Sequence, residues 1–483
     1  MSNLQRLIQR YSEDGRVLKI KELLEADSLQ RIRLDGLIGA QDSFVLTGLK
    51  QCSSYFHLFI GADKEEAAYL QNNLSKITPE EEIHFFPDSF KRPQNFEELN
   101  SGNVLERTEA INKITDENAT PQTIVTYPEA LFEKVVSPEV LKKARILLKK
   151  GEDLDIEFLI QMLVEYGFER VDFVYSPGQF SIRGGIIDIF SYGNDWPYRI
   201  DLFDEEIESI RTFDPNTQLS KRNIAFVNIV PNINTRFSQN EKVSLFEVLP
   251  KNTVIWVRDF QFMLDRLQEC FDKAEEFAKN LPKLLGEEEE LREIFKDRAF
   301  LFPKLITEGI EKFRIISLSK DPQPIEFENK VVFAAKPQPS FNKNFKLLIE
   351  HLNGNTKSNI ENFIFTDNNR QIDRFYAIFE DLNAKIEFNP ILNSIHQGFL
   401  DVDLNIACYT DHQIFERFHR YKLKRGFTKD QAFNLKMLRD LTPGDFVTHI
   451  DHGIGRYSGL EKITIGGHTQ ESCLLYTSPS PRD

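Results

Sequence analysis

A multidomain α/β architecture is predicted from three observations. Short β-rich apolar runs alternate with amphipathic helical stretches along most of the chain. At 483 residues the chain exceeds what one hydrophobic core sustains and corresponds to about three to five domains. Hydrophobic residues at 41% against 28% charged give each of those domains a core to bury.

The elements follow in order. Residues 1–148 read as an α/β domain through "SFVLTGL" (a strand), "YFHLFIGADKEEAAYLQNNL", "EIHFFPDS" and "TIVTYPEALFEKVV". From 149 the helix "DIEFLIQMLVEYGF" leads into strands punctuated by Gly, Pro and Asn, so 149–232 reads as an α+β module. At 233–325 the α/β character returns with "NTVIWV" and the long charged helix "MLDRLQECFDKAEEFAKNL". A further α/β unit spans 330–425, with "KVVFAA", "ENFIFTDNNRQIDRFYAIFEDL", "AKIEFN" and "LNIACYTDHQIF". A basic connector, "RFHRYKLKRGFTK" (417–429), runs into the linker 426–441, which leads to the strand-rich 442–472. The connector reads as a solvated linker, with contact to DNA or a protein as the alternative. The last residues, "CLLYTSPSPRD" (473–483), break in character and resemble a translated sequencing adapter, so the natural chain is expected to be cut near Ser472.

Composition narrows the function. A net charge of -15 argues against a chain built to coat nucleic acid and favours protein partners. Four scattered cysteines without a CxxC pair argue against zinc ribbons and disulfide frameworks and fit a reducing cytoplasm. No signal peptide and no apolar run of about 18 residues is present, so no membrane role is expected.

Catalytic chemistry finds no home in the motifs. In "FVLTGLKQCSSYF", read as the loop after a first strand, Gly48 and Lys50 stand where a phosphate loop would, without its Gly-Lys-Thr ending. "FDEEIESI" (203–210) reads as an acidic surface turn, and no metal-spaced cluster appears; Gly453 and Gly455 read as turn positions. A protein-docking face is more legible. With Phe180 and Ile182 facing a core, alternation puts Ser181 and Arg183 on the other face, and Gly184-Gly185 permit a bulge or close approach. Tyr198, Ile200 and Leu202 likewise point inward, leaving Arg199 and Asp201 outward. Ordinary surface ion pairing is the plainer alternative. The module carries 8 Lys and Arg against 15 Asp and Glu, which suits a protein partner better than DNA.

Two stretches carry a resemblance. "SPGQFSIRGGIIDIF" with "WPYRIDLFDEEIESIRTFDPNTQLS" resembles the second domain shared by the excinuclease component UvrB and the transcription-repair coupling factors, and "GDFVTHIDHGIGRYSGLEKI" is similar to the start of their CarD-like RNA-polymerase-interacting domain. "TYPEALF" and "KPQPSFNKNF" add weaker support, and the combined order points to the coupling-factor family. The resemblance implies a degenerate helicase-like (P-loop-like) domain at 1–148 and 233–325, with an inserted module at 149–232 that docks the excinuclease component UvrA through Arg170, Arg183, Arg199 and Asp201. It implies a second α/β domain at 330–425 and a truncated SH3/Tudor-like barrel at 442–472 that meets the β chain of RNA polymerase through Ile463. Ser181 departs from the UvrB pattern, where another arginine stands. No cofactor is expected in these residues. ATP and Mg²⁺ belong to the family's motor, which also makes most of the DNA contact and is expected beyond this chain. The protein is expected to be a monomer that recruits excision repair to stalled polymerase, without catalytic activity of its own. The alternatives are a UvrB-type repair protein and a CarD-like transcription regulator.

Overall fold

A computed structural model describes residues 2–81, 83–92, 95–116, 119–137, 139–140, 146–192, 196–229, 242–284, 300–321, 323–417, 446–449, 453–465 and 468–477. Two compact units divide the chain, 1–426 and 427–483.

The first unit is organised around a seven-stranded parallel sheet. Its strands run in the order Asn329–Val332, Arg31–Asp35, Arg314–Ser317, Thr253–Val257, Phe56–Ile60, Thr123–Thr126 and Ile83–Phe86. "FHLFI" and "TVIWV" bury every residue, as strands covered on both faces require. Four strands come from before the α+β module and three from after it, so the module is an insertion in this domain. Two antiparallel ribbons form the neck: Val135–Val136 pairs with Lys242–Val243, and Ile146–Lys149 pairs with Phe226–Ile229. "KVVFAA" begins in this sheet, since Asn329–Val332 pairs with Arg31–Asp35. No helix among the described residues is long and apolar enough to cross a membrane.

The expected first strand "SFVLTGL" is instead part of the helix Gln41–Cys52. Residues Gln41 to Leu49 are all buried, and a helix enclosed on every side shows no polar stripe, so its short apolar run is indistinguishable from a buried strand. Gly48 and Lys50 therefore lie within a helix and not in a loop. A Cβ on Gly48 would stand 2.8 Å from the Tyr11 carbonyl carbon, so glycine here lets the helix Asn3–Ser12 approach. Lys50 pairs with Glu81 and donates to Thr123 Oγ1 at 2.9 Å. The loop between the strand Arg31–Asp35 and this helix is 36–40.

The second α/β domain has a five-stranded sheet in the order Ala335–Pro337, Phe399–Asp401, Ile406–Thr410, Glu361–Phe365 and Asn389–Ile391. "AKIEFN" forms a strand only from Asn389 onward. One face packs on the helices Phe345–Lys357 and Asn369–Asp381 through Leu348, Leu352, Phe375 and Tyr409. The other face sends Phe363, Phe365, Phe399 and Ile406 into the core of the first domain, where Phe44 lies 5.7 Å from Phe399 and 6.0 Å from Phe365 between ring centroids. The two sheets thus share one core.

Within that core His57 is fully buried, with Trp256 Nε1 donating to its Nδ1 at 3.1 Å. Burial, assisted by the charge of Lys50, pushes its pKa down to about 3. The unfolded chain takes up this proton near pH 6.5, so the fold loses stability as pH falls from there toward 3, at up to about 1.4 kcal/mol per pH unit. Urea titrations at pH 7 and pH 5 should show a smaller loss in His57→Leu than in the parent chain. An equal loss in both excludes His57 as the source.

In the second unit, Phe446–His449, Gly453–Ile465 and His468–Thr477 form a three-stranded antiparallel sheet with the long strand central. Gly453 and Gly455 pair with His449 and Val447, so both lie in a strand and not in a turn. The final strand continues through Cys473 to Thr477, past the expected boundary at 472. The linker 426–441, most of the basic connector and the tail from 478 lie outside the described residues.

Candidate docking face

The inserted module builds a six-stranded sheet in the order Ser220–Ile224, Glu206–Phe213, Tyr198–Phe203, Ile186–Phe190, Gln179–Arg183 and Glu169–Arg170. All neighbours are antiparallel except the last two strands. The helix Ile156–Glu165 starts at Asp155, whose side chain accepts from Phe158 N at 2.9 Å. Leu159 and Leu163 of this helix cover one sheet face, meeting Phe180, Ile187, Ile189, Ile200 and Ile210. The expected inward and outward phases therefore hold.

On the opposite face, register aligns Ser181, Asp188, Arg199 and Arg211 in one cross-strand row and Arg183, Ile186, Asp201 and Ser209 in the next. Gly184-Gly185 form the two-residue hairpin connection that sets this register, and Gly185 O accepts from Leu202 N at 2.8 Å. The backbone thus makes a close approach and not a bulge.

The face is less open than its polarity suggests. Asp188 has no exposed surface. Arg199 grips it with Nε at 2.7 Å and Nη2 at 2.9 Å, and Arg183 Nη2 reaches the same carboxylate. Hydrogen bonding to Asp188 raises the pKa of Arg199 further, keeping it a cation. Arg199 Nη1 donates to Gln218 O at 3.0 Å, and its guanidinium lies over Phe213, 4.4 Å from the ring centre. Arg183 lies over Phe173 at 4.7 Å. The segment before Gln179 covers part of the face: Ser181 Oγ donates to Asp172 O at 2.8 Å and Gln218 Nε2 to Val174 O at 3.2 Å. Asp201 accepts from Arg211 Nη2 at 2.8 and 2.6 Å and from Ser209 Oγ.

Arg183, Arg199 and Asp201 are thus brought together. Arg170 is not: it is exposed on the two-residue edge strand, in register with Phe180 of the apolar row. Asp188, Arg211 and Gln218 join the face without being expected from sequence. A carboxylate inside "IIDIF" is a signal for the first, because a buried charge is rarely unpaired. Of "FDEEIESI", expected as an acidic surface turn, only Asp204-Glu205 form a turn; Phe203 ends one strand and Glu206 to Ile210 belong to the next, with Ile207 and Ile210 buried, and no group of His, Cys, Asp or Glu among the described residues could hold a metal ion. In the second unit Ile463 pairs with Gln470, in a stretch of the central strand that has one neighbour among the described residues.

Comparison with known proteins adds two family models. The UvrB interaction domain matches residues 146–234, which contain this face, and the CarD-like/TRCF RID domain matches residues 441–478. The transcription-repair-coupling factor of Bacillus subtilis (strain 168) is 25% identical over an alignment of 557 positions covering 99% of this chain and 46% of the relative. That of Staphylococcus aureus (strain Mu50 / ATCC 700699) is 24% identical over 475 positions, covering 85% of this chain and 40% of the relative. The chain spans less than half the length of these curated relatives.

Proposed function

We infer that the chain belongs with the transcription-repair-coupling factors and performs their docking work, joining the excinuclease component UvrA to RNA polymerase. The observation that carries this reading is the presence of both matched domains in one chain, the UvrB interaction domain followed by the CarD-like domain. A UvrB-like protein would have no use for the second, and a CarD-like regulator none for the first.

Each domain has a surface suited to its part. The interaction module presents partly exposed arginine donors, whose planar fork suits a carboxylate and recurs at interface hot spots. Arg183 makes the contact, with Arg199 and Asp201 shaping its surroundings and Arg170 standing apart at the sheet edge. In the second unit the strand around Ile463, with one neighbour among the described residues, offers an edge for pairing with a strand of the polymerase β chain. Immobilised UvrA and immobilised polymerase β chain should each retain the protein separately. Retention by neither would end this reading.

Nucleotide has no place in this arrangement. The loop 36–40 occupies the position of a phosphate loop between strand and helix, but Ala40 N donates to Gln397 O at 3.0 Å. A Cβ on Gly39 would lie 2.8 Å from Gly398 O and 2.9 Å from Gln397 O, so backbone carbonyls of the second α/β domain crowd the loop that phosphate oxygens would need. These residues do not fit ATP, and translocation is not assigned to them. Thermal melting with and without Mg-ATP should coincide, and a rise of several degrees would contradict this.

A further inference from the structure

The two arginines on Asp188 differ in what they leave free. Arg199 spends Nε and Nη2 on Asp188 and Nη1 on Gln218 O, and its side chain is 14% exposed. Arg183 spends one contact, from Nη2, which carries two hydrogens, and is 34% exposed; its Nε and Nη1 have no partner among the described residues. Asp188 lies on the strand between them with no exposure.

Charge on the face is unevenly matched. Its two cross-strand rows contribute Arg183, Arg199 and Arg211 against Asp188 and Asp201, and Arg211 is the partner of Asp201. Two guanidinium groups therefore share the single carboxylate of Asp188. Within these two rows one cation is in excess, in a module whose overall balance is 8 basic to 15 acidic residues.

We propose that Asp188 is the positioning residue of the docking face, holding Arg183 so that its free N–H edge meets a carboxylate on the partner. The inference rests on the docking function proposed above. Arg199 acts as the anchor that holds Asp188 in place through its two hydrogen bonds. Asp188 and the Phe173 ring fix the Arg183 head group from two directions before any partner arrives. A long flexible side chain prepared in this way loses less freedom on binding, which raises affinity without adding a contact. The incoming carboxylate is selected because it neutralises the excess cation of these rows and accepts at once from Nη1 and the second N–H of Nη2.

The test titrates UvrA into the whole chain as wild type, Arg183→Ala, Asp188→Asn and the double variant. Arg183→Ala should weaken binding at least about tenfold, and Asp188→Asn about tenfold with Arg183 still present. The double variant should bind within about twofold of Arg183→Ala, because Asp188 acts only through Arg183. A purely structural Asp188 would lower the melting temperature but leave affinity, measured well below melting, at the wild-type value. If Asp188→Asn does not fold, Asp188→Leu combined with Arg199→Met replaces the buried ion pair by apolar volume, a change proteins often tolerate. That variant should fold and still lose about tenfold. Wild-type affinity in any folded variant lacking Asp188, while Arg183→Ala binds weakly, overturns the positioning role. Failure of the wild-type chain to bind at all overturns the docking function instead, so the two failures are distinct.

Discussion

Arg183→Glu is expected to weaken association with UvrA by about 2–5 kcal/mol, at least roughly thirtyfold, with little change in melting temperature. The side chain sits at the hairpin end beside Gly184 and is one-third exposed, so a glutamate can turn to solvent. Asp188 keeps its two-atom grip on Arg199, so no buried charge is orphaned. Calorimetric titration paired with a thermal melt reads both quantities. Unchanged affinity would move the docking contact elsewhere. Arg199→Glu should behave differently, although from sequence both reversals are expected to spare the fold. It would set a second carboxylate against Asp188 in a site where the replaced side chain was 14% exposed, and breaking a buried pair costs about 3–5 kcal/mol. Arg183 should thus report on binding and Arg199 on stability.

Asp401→Ala is expected to destabilise the first unit by about 3–5 kcal/mol. Its side chain has no exposure and accepts from Arg16 Nη2 at 2.8 Å, Gln41 Nε2 at 2.7 Å and Tyr11 OH at 3.1 Å. Those donors come from the N-terminal helices and the helix Gln41–Cys52, whereas Asp401 belongs to the second α/β sheet. One carboxylate therefore ties the second sheet to three helices of the first domain. Removing it leaves a buried amide and a buried phenol without their acceptor and a guanidinium with less counter-charge. Urea unfolding should show a lower midpoint, and Asp401→Asn, which keeps an acceptor, should fall between. A loss below about 1 kcal/mol for Asp401→Ala would mean that apolar packing alone joins the sheets.

Much of the fold is legible because period-two and helical patterns survive burial on one face. The helix Ile156–Glu165 and the phases of Gln179–Arg183 and Tyr198–Phe203 follow directly from that rule. "SFVLTGL" fails because its helix is buried all round, which erases the polar stripe that separates helix from strand. Reading that one run as a strand puts Gly48 and Lys50 in a loop and hides the true loop at 36–40. At the docking face, Arg183, Arg199 and Asp201 are recoverable from alternation. Their engagement is not, because it depends on which strands are neighbours. The Gly184-Gly185 turn does fix Ser181 opposite Asp188, so one register is available in the sequence. The approach of Gln218 and the covering of the face by Asp172 to Val174 arise from contacts distant along the chain, which no local pattern encodes.

The docking claim is tested most directly by competition. The proposed docking function, supported by the match of residues 146–234 to the UvrB interaction domain, predicts that this module and UvrB compete for one surface of UvrA. A preformed complex of the chain with labelled UvrA should be displaced by unlabelled UvrB in a saturable titration, and Arg183→Glu should form no complex to displace. Simultaneous binding of both proteins to UvrA, with heats that simply add, would contradict it.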